Sequence, residues 1–324
     1  MVDRAAVRRA LGTLLLCAVP TTIAGIVVVP AVLLLGVGGF GAIGGFGGVP
    51  DVVAAAFASA VVGLGGSALL GPFLVDRRVD RLPEAELDDR PTDFVADRVA
   101  TLADAVGVDA PAVTVVRADA ANVAVADGYR GSRLVVSTRL LSLPQDDRDA
   151  ALRHALVRIR TREAAVTTAL LPALAAVETV ALLATLLVGR REERPASDRR
   201  VNRIHGYEPD DGDVPPWAYT VAGVLLWLAI LPAWIPAVAG ERLLVSGSRR
   251  AADAAVARAG PAQRDGLGNA VAFASDAAGA TDWLPLLDRL SLVSMADSET
   301  VGVRGVSRQE ARIRLARLRS KRML

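Results

Sequence analysis

Cysteine, histidine and lysine are scarce in this chain of 324 residues. It has one cysteine, Cys17, two histidines, His154 and His205, and one lysine, Lys321. A single cysteine excludes a disulfide framework and a cysteine metal cluster. Arginine therefore carries nearly all the positive charge, which together with abundant Ala, Val and Asp indicates a GC-rich genome rather than a function. The net charge is only +2, and we expect no nucleic-acid partner.

Charged residues are absent from long parts of the chain. Residues 10–50, 52–75 and 215–240 carry none, and residues 164–188 carry only Glu178. A helix that spans a bilayer needs roughly 20 mostly apolar residues. The sequence therefore predicts an integral membrane protein, mainly α, with the bilayer as a partner. About four transmembrane helices are expected, at 10–36, 52–75, 164–188 and 217–239.

The placement of arginine predicts an orientation for these helices. Arginines precede the first stretch at positions 4, 8 and 9 and follow the second at positions 77, 78 and 81, whereas the hairpin between has none. Because cytoplasmic segments carry the excess of Lys and Arg, residues 76–163 are expected in the cytoplasm of a multi-pass plasma-membrane protein. The loop 190–215 holds six arginines on the opposite side, so stretches three and four have a re-entrant pair as their alternative.

Four segments follow from this division. Residues 1–75 form a basic cap with two spans, residues 76–163 a cytoplasmic segment, residues 164–240 two further spans with a polar loop, and residues 241–324 a helical C-terminal part.

Within the polar segments, periodicity predicts a few regular elements. Helical apolar spacing covers Thr92–Val106, and a charged helix covers 145–163 and runs directly into the third stretch. Short strands are predicted at 113–116, 122–126 and 134–137.

The C-terminal stretch Arg308 to Arg322 is basic and places Ala311, Leu315 and Leu318 on one helical face. Such a helix fits an anionic membrane surface. Equally, it fits a solvated helix packed on the domain.

Several short segments resemble one family in their order. The helix sequence from His154 to Glu163, HALVRIRTRE, resembles the HELAHIxNRD metal helix of the HtpX-type membrane zinc metallopeptidases, which are relatives of the CAAX prenyl endopeptidases. Asn122-Val-Ala-Val resembles the family's NAFA edge strand, and Leu134 to Leu141 resembles its VVVTTGLL segment. Ser307 to Ile313 resembles its closing PTEERI signature. The resemblance implies a small α+β gluzincin-like domain between the membrane helices.

The resemblance also implies where zinc chemistry would lie. In the family, two histidines at positions i and i+4 of one helix hold zinc, and the glutamate after the first histidine is the general base. Here the first histidine is His154. Ala155 stands at the general-base position and Arg158 at the second histidine position.

The third ligand in the family is a glutamate within a motif such as SRxREYxAD. The matching stretch is Val245 to Asp253, and anchoring it on Asp253 puts Arg249 at the glutamate position. A gap of one residue would put Arg250 there instead. Neither arginine binds zinc, so we expect no catalytic residue, a single remnant metal ligand and no cofactor, although zinc serves the family.

Three residues are candidates for a functional role, namely Arg158, Asp253 and Glu178. The Arg158 guanidinium could take the place of the cation, paired with Asp253 or Glu163, whereas the alternative is a solvated helix face shared with Arg162. Glu178 is costly inside an apolar span and is a functional candidate by default. It could also face the helix bundle.

These observations predict a pseudopeptidase of metalloendopeptidase descent. It would bind membrane-protein segments, or regulate an active relative by association, and extended peptides could add to the strands at 122–137. One alternative is an active membrane zinc endopeptidase with an atypical metal site. The other is a structural interaction protein without a peptide groove.

Overall fold

The structure is a computed structural model that describes residues 4–16, 18, 49–82, 85, 92–175, 216–277, 283, 285–294 and 307–320. Ten α-helices of the described chain are numbered in order. They are α1 (residues 4–16), α2 (Val49–Val79), α3 (Thr92–Val106), α4 (Thr138–Leu141), α5 (Gln145–Arg160), α6 (residues 163–175), α7 (Pro216–Glu241), α8 (Gly247–Arg258), α9 (Pro261–Asp276) and α10 (Ser307–Arg319). A π-helical turn, Arg242–Ser246, joins α7 to α8, and a 3₁₀ helix covers Pro285–Leu290.

A three-stranded sheet lies among the helices. Its strands are β1 (Ala112–Val116), β2 (Val123–Gly128) and β3 (Gly131–Ser137), in the spatial order β1-β3-β2. β1 runs parallel to β3, and β2 runs antiparallel to it through a tight connection between Gly128 and Gly131. This order leaves one side of β2 facing away from the sheet.

Helix α5 occupies the centre of the domain. It packs against α3, α8, α9 and β2. Leu152 and Leu156 are fully buried on α5, as are Leu134 on β3 and Leu267 on α9. Apolar residues from the polar middle segment and from the C-terminal segment thus form one core.

Most elements predicted within the polar segments are confirmed. The predicted helix at 92–106 and all three predicted strands are present, with ends within a few residues. The basic C-terminal helix buries Ala311 and Leu318 in the core. The sequence allowed this helix to lie on an anionic membrane surface or to pack on the domain, and the packed position is observed.

The prediction that the charged helix continues directly into the third apolar stretch is wrong. Helix α5 ends at Arg160, and Arg162 has a φ of 59°. The left-handed conformation of Arg162 ends the helix. Its N–H donates to the carbonyl of Ile159, three residues back, instead of continuing the helical pattern of bonds four residues back. A new helix, α6, then starts at residue 163.

The prediction of an integral membrane protein with four spans is also wrong for the residues that the structure describes. None of their helices is long and apolar enough to cross a membrane. The predicted location, a multi-pass protein of the plasma membrane, depended on these four spans and is therefore wrong in the same way.

The second stretch shows a physical reason for this difference. Its helix α2 ends inside the domain, whereas parts of the first and third stretches lie outside the described residues. Val75 and Val79 of α2 are in the core, and buried Asp76 accepts a hydrogen bond from the Tyr129 N–H. An uncharged run of sufficient length also suits a helix that packs within a protein.

Helices α2 and α7 expose several large apolar side chains. They are Val61, Val62, Leu69, Leu70 and Phe73 on α2, and Val221, Leu225, Leu228, Leu231 and Ile235 on α7. Exposed apolar side chains of this size are typical of association sites where they form a contiguous patch.

The strained residue that ends α5 yields a stability prediction. Because a non-glycine residue in the left-handed region costs roughly 1–2 kcal/mol, Arg162→Gly should raise the free energy of unfolding by about 0.5–1 kcal/mol. Chemical denaturation measures this change. The matched control is Arg160→Gly in the last helical turn, which should lower stability by a similar amount. A loss of stability in both variants would contradict the prediction.

Candidate functional site

Helix α5 directs His154, Ala155 and Arg158 into the interior. All three are buried, and Arg158 is only 1% exposed. His154 and Arg158 are one turn apart, so they lie on the same helical face. The alternative that Arg158 belongs to a solvated face is therefore wrong, whereas Arg162 is exposed.

Helix α8 supplies the facing side of the site. Arg249 and Asp253 are buried and also stand one turn apart. Arg250 is exposed, and its Nε donates to the carbonyl of Ser246 on its own helix. Of the two arginines that the family motif could place at the third ligand position, Arg249 is the buried one and Arg250 is not. This agrees with the alignment anchored on Asp253.

The Arg158 guanidinium binds the backbone of a segment far along the chain. We call residues 288–293 the clamped segment. Nη1 of Arg158 donates to the carbonyl of Leu290 at 2.6 Å, and Nη2 donates to that of Arg289 at 3.2 Å. Its Nε donates to Ser248 Oγ at 2.9 Å. One buried guanidinium therefore joins α5, α8 and the clamped segment.

Other side chains bind the remaining carbonyls of the clamped segment. Arg249 donates to those of Asp288 at 2.9 Å and Ser291 at 3.1 Å. Arg314 of α10 donates to Leu292 at 2.6 Å. The Asn122 amide donates to Val293 at 2.7 Å. Six consecutive carbonyls, from 288 to 293, thus accept hydrogen bonds from side chains.

The helix geometry of this segment explains why it attracts cations. The last carbonyls of a helix have no partners within the helix and carry partial negative charge. The 3₁₀ helix ends at Leu290, inside the cluster of arginines. Arg158 and Arg314 thus bind the carbonyls of Leu290 and Leu292, which have no other partner among the described residues. A buried carbonyl without a partner is costly in a protein interior.

The clamped segment also covers the outer side of β2. Ser291 forms an antiparallel bridge with Ala124, and the Leu292 N–H donates to the carbonyl of Val123 at 2.8 Å. The Asn122 carboxamide oxygen accepts the Val293 N–H at 3.3 Å. The strand edge predicted to receive extended peptides is therefore paired with the chain itself at these residues.

Asp253 is held between an arginine and a histidine. Arg314 binds it with two hydrogen bonds, each of 2.8 Å. His154 Nε2 lies 3.3 Å from Asp253 Oδ1 without hydrogen-bond alignment. Burial, the largest single effect, raises the pKa of Asp253, but the charge and hydrogen bonds of Arg314 together with the contact to His154 outweigh it and hold this pKa well below its usual range.

The imidazole of His154 is neutral at physiological pH. Burial lowers its pKa from 6.5 to about 4, against the opposing effect of Asp253. Burial likewise lowers the pKa of Arg158 to about 9, and the neighbouring Arg249 charge acts in the same direction. Arg158 is still a cation at pH 7, so the site holds fixed positive charge.

The predicted partners of Arg158 are bound elsewhere. Asp253 pairs with Arg314, and Glu163 accepts a hydrogen bond of 2.7 Å from Arg9 Nε. Arg158 instead uses carbonyl oxygens and a serine hydroxyl. The guanidinium is buried, whereas neither of the ion pairs predicted for it, with Asp253 or with Glu163, is observed. That it takes the place of a metal cation stays a hypothesis.

The residues of this site do not fit zinc. Catalytic zinc sites use three protein ligands with nitrogen, sulfur or carboxylate donors. Here two of the three positions carry arginine, whose donors repel a metal cation. Among the described residues, no three His, Cys, Asp or Glu side chains form a group able to hold a metal ion.

The candidate Glu178 lies outside the described residues, as does the second histidine, His205. Conversely, Arg314 and the clamped segment were not predicted. The only signal for Arg314 was an arginine on the same helical face as Ala311 and Leu318. A charge on an apolar face indicates a buried partner.

We compared the chain with known protein families, proteins and structures. The chain matches no protein-family model, no curated protein and no solved structure.

The neutral histidine predicts a pH dependence of stability. Because His154 has a folded pKa near 4 and an unfolded pKa of 6.5, the unfolded chain binds more protons between these values. Stability should thus be full above pH 6.5 and fall toward pH 4, by about 2 kcal/mol between pH 7 and pH 5. Urea denaturation across this range measures the loss.

Substitution of His154 supplies the control for that experiment. His154→Gln should flatten the dependence between pH 7 and pH 5. The carboxylate Asp253 acts only below pH 3.8, outside this window. An equal slope in the wild type and His154→Gln would contradict the assignment.

The central role of Arg158 predicts a large cost of truncation. Arg158→Ala leaves carbonyls of the clamped segment unpaired and creates a cavity, so the free energy of unfolding should fall by roughly 3–5 kcal/mol. Arg160→Ala, on the exposed side of α5, should change it by about 0.5 kcal/mol or less. Equal effects of the two substitutions would show that the buried guanidinium contributes little.

Proposed function

We propose that this protein is a non-catalytic relative of the HtpX-type metallopeptidases that acts by association with other proteins. The arrangement of His154, Arg158, Arg249 and Asp253 supports the resemblance, because the spacing of both pairs brings them together between α5 and α8. The observation that carries the proposal is the binding of Arg158 and Arg249 to the backbone of the clamped segment, at positions where the family has zinc ligands.

The side chains at the candidate site support the lack of catalysis that we propose. Hydrolysis by this family needs a metal-bound water and an adjacent general base. Ala155 provides no base, and the guanidinium groups provide fixed positive charge that disfavours a second cation nearby. A neutral His154 held against Asp253 then has a structural role.

The mode of association is also indicated by the geometry. A peptide-binding pseudopeptidase would use the outer side of β2, but Ser291 and Leu292 pair with it at Val123 and Ala124. The reading as an interaction protein without an open groove is therefore favoured. Regulation of an active relative by association is compatible with this, since it needs only the outer surface.

Metal content and proteolysis test the proposal together. Purified wild-type protein is incubated with zinc, dialysed and measured by mass spectrometry, and its cleavage of casein is followed with and without a chelator. We expect zinc well below one ion per chain and no chelator-sensitive cleavage. One zinc per chain with chelator-sensitive cleavage would refute the proposal and favour an active peptidase with an atypical metal site.

A restored variant provides the matched comparison. Ala155→Glu, Arg158→His and Arg249→Glu together recreate the ligand set and base that the resemblance implies. Uptake of zinc by this variant alone would support descent from a zinc peptidase. A folded variant, verified by its thermal unfolding, that binds no zinc would count against the resemblance.

A further inference from the structure

A second arginine-rich feature borders another face of α8. It is a cavity of about 310 Å³ between α8, α10 and the first turns of α9. We call it the arginine pocket. Its size falls at the lower end of the range for small-molecule sites, roughly 300–1,000 Å³.

Helical spacing brings the pocket's arginines together. On α8, Arg250 and Arg258 are eight residues apart and so share a face, and on α10 Arg317 follows Arg314 by one turn. Arg264, near the start of α9, completes the wall. Five arginines thus surround one cavity.

The balance of charge in the pocket is strongly positive. Asp253 is the one acidic residue that lines it, and both carboxylate oxygens of Asp253 are bound by Arg314. Arg264 contacts the exposed Asp265. Arg250, Arg258 and Arg317 form no ion pair with the described residues, so their charge is available to a ligand.

The hydrogen bonds of two arginines leave their terminal amino groups available. Nε of Arg250 donates to the carbonyl of Ser246, and Nε of Arg258 donates to that of Ala254, each at 3.0 Å. Both bonds run back along α8 and use only Nε. The Nη1 and Nη2 groups of each guanidinium have no partner among the described residues. A fork of two N–H donors matches phosphate oxygens.

Apolar atoms form the rest of the pocket. Ala254, Ala257 and buried Leu318 line it together with the arginine stems. A free inorganic anion would gain nothing from these groups, whereas an organic ligand buries its apolar part against them. The pocket thus combines cationic donors with an apolar wall.

We propose that the arginine pocket binds a phosphomonoester with an apolar body. Phosphate is favoured over carboxylate because it offers three oxygens and up to two negative charges to several guanidinium forks. Both soluble phosphomonoesters and phosphatidic acid headgroups carry this chemistry. No residue of the clamped segment lines the pocket, although Arg314 contacts both. The proposal does not depend on the loss of catalysis.

Titration calorimetry on the full chain tests the proposal with phenyl phosphate and inorganic phosphate as probes. We expect saturable binding of phenyl phosphate at one site per chain, tighter than that of inorganic phosphate and weaker at high ionic strength. The double variant Arg258→Gln/Arg317→Gln should bind roughly tenfold more weakly or worse, because each lost fork removes charge-assisted hydrogen bonds.

Arg312→Gln is the matched control, since Arg312 is exposed on the same helix and does not line the pocket. It should leave binding unchanged. Sedimentation with phosphatidylcholine vesicles, with and without phosphatidic acid, separates the two sources of phosphate. Vesicle binding that needs phosphatidic acid and is lost in the double variant would assign a lipid headgroup.

Two results would overturn the proposal. One is the absence of saturable binding to phenyl phosphate and to phosphatidic acid vesicles alike. The other is binding that the double variant retains while its thermal unfolding matches that of the wild type.

Discussion

The arginine clamp on residues 288–293 is the interaction on which the rest of the site depends. Arg158, Arg249 and Arg314 come from three different helices and end on neighbouring carbonyls. Each guanidinium has several donors in a fixed plane, so one side chain can bind several elements at once. Removing Arg158 or Arg314 would leave buried carbonyls without a partner among the described residues.

Burial of three cations is expensive, and the structure offsets this cost in two ways. Asp253 and Glu310 supply negative charge to Arg314 and Arg249, respectively. Arg158 relies on the carbonyls at the end of the 3₁₀ helix and on Ser248. Burial accordingly lowers the pKa of Arg158 but not below neutrality. A metal ion in a peptidase serves a similar purpose, because it fixes two helices and carries positive charge.

Arginine has two distinct roles on the two sides of α8. Toward α5, Arg249 is buried and bound to protein atoms. On the other side, Arg250 and Arg258 border a cavity and keep terminal amino groups without described partners. The same residue type thus supplies internal structure and a candidate anion site. The two roles differ because Arg249 lies on a buried face of α8, whereas Arg250 and Arg258 are exposed.

The sequence by itself determined the local features of this protein. Apolar periodicity predicted α3 and the three strands, and spacing placed His154 and Arg158 on one helical face. The resemblance, not spacing, implied Arg249 as the position of the third ligand, and the loss of a metal site stays a prediction. These features depend on neighbours within a few residues, so they can be recognised without the fold.

Only the tertiary structure decided where the charged groups go. The carbonyl of Leu290 that binds Arg158 lies 132 residues away in the chain, and backbone acceptors have no signature in side-chain patterns. The same limitation applies to the apolar stretches. Their length and lack of charge suggested four membrane spans, but α2 enters the core through Val75 and Val79. Hydropathy reports the solvent preference of a segment, whereas packing partners determine its location.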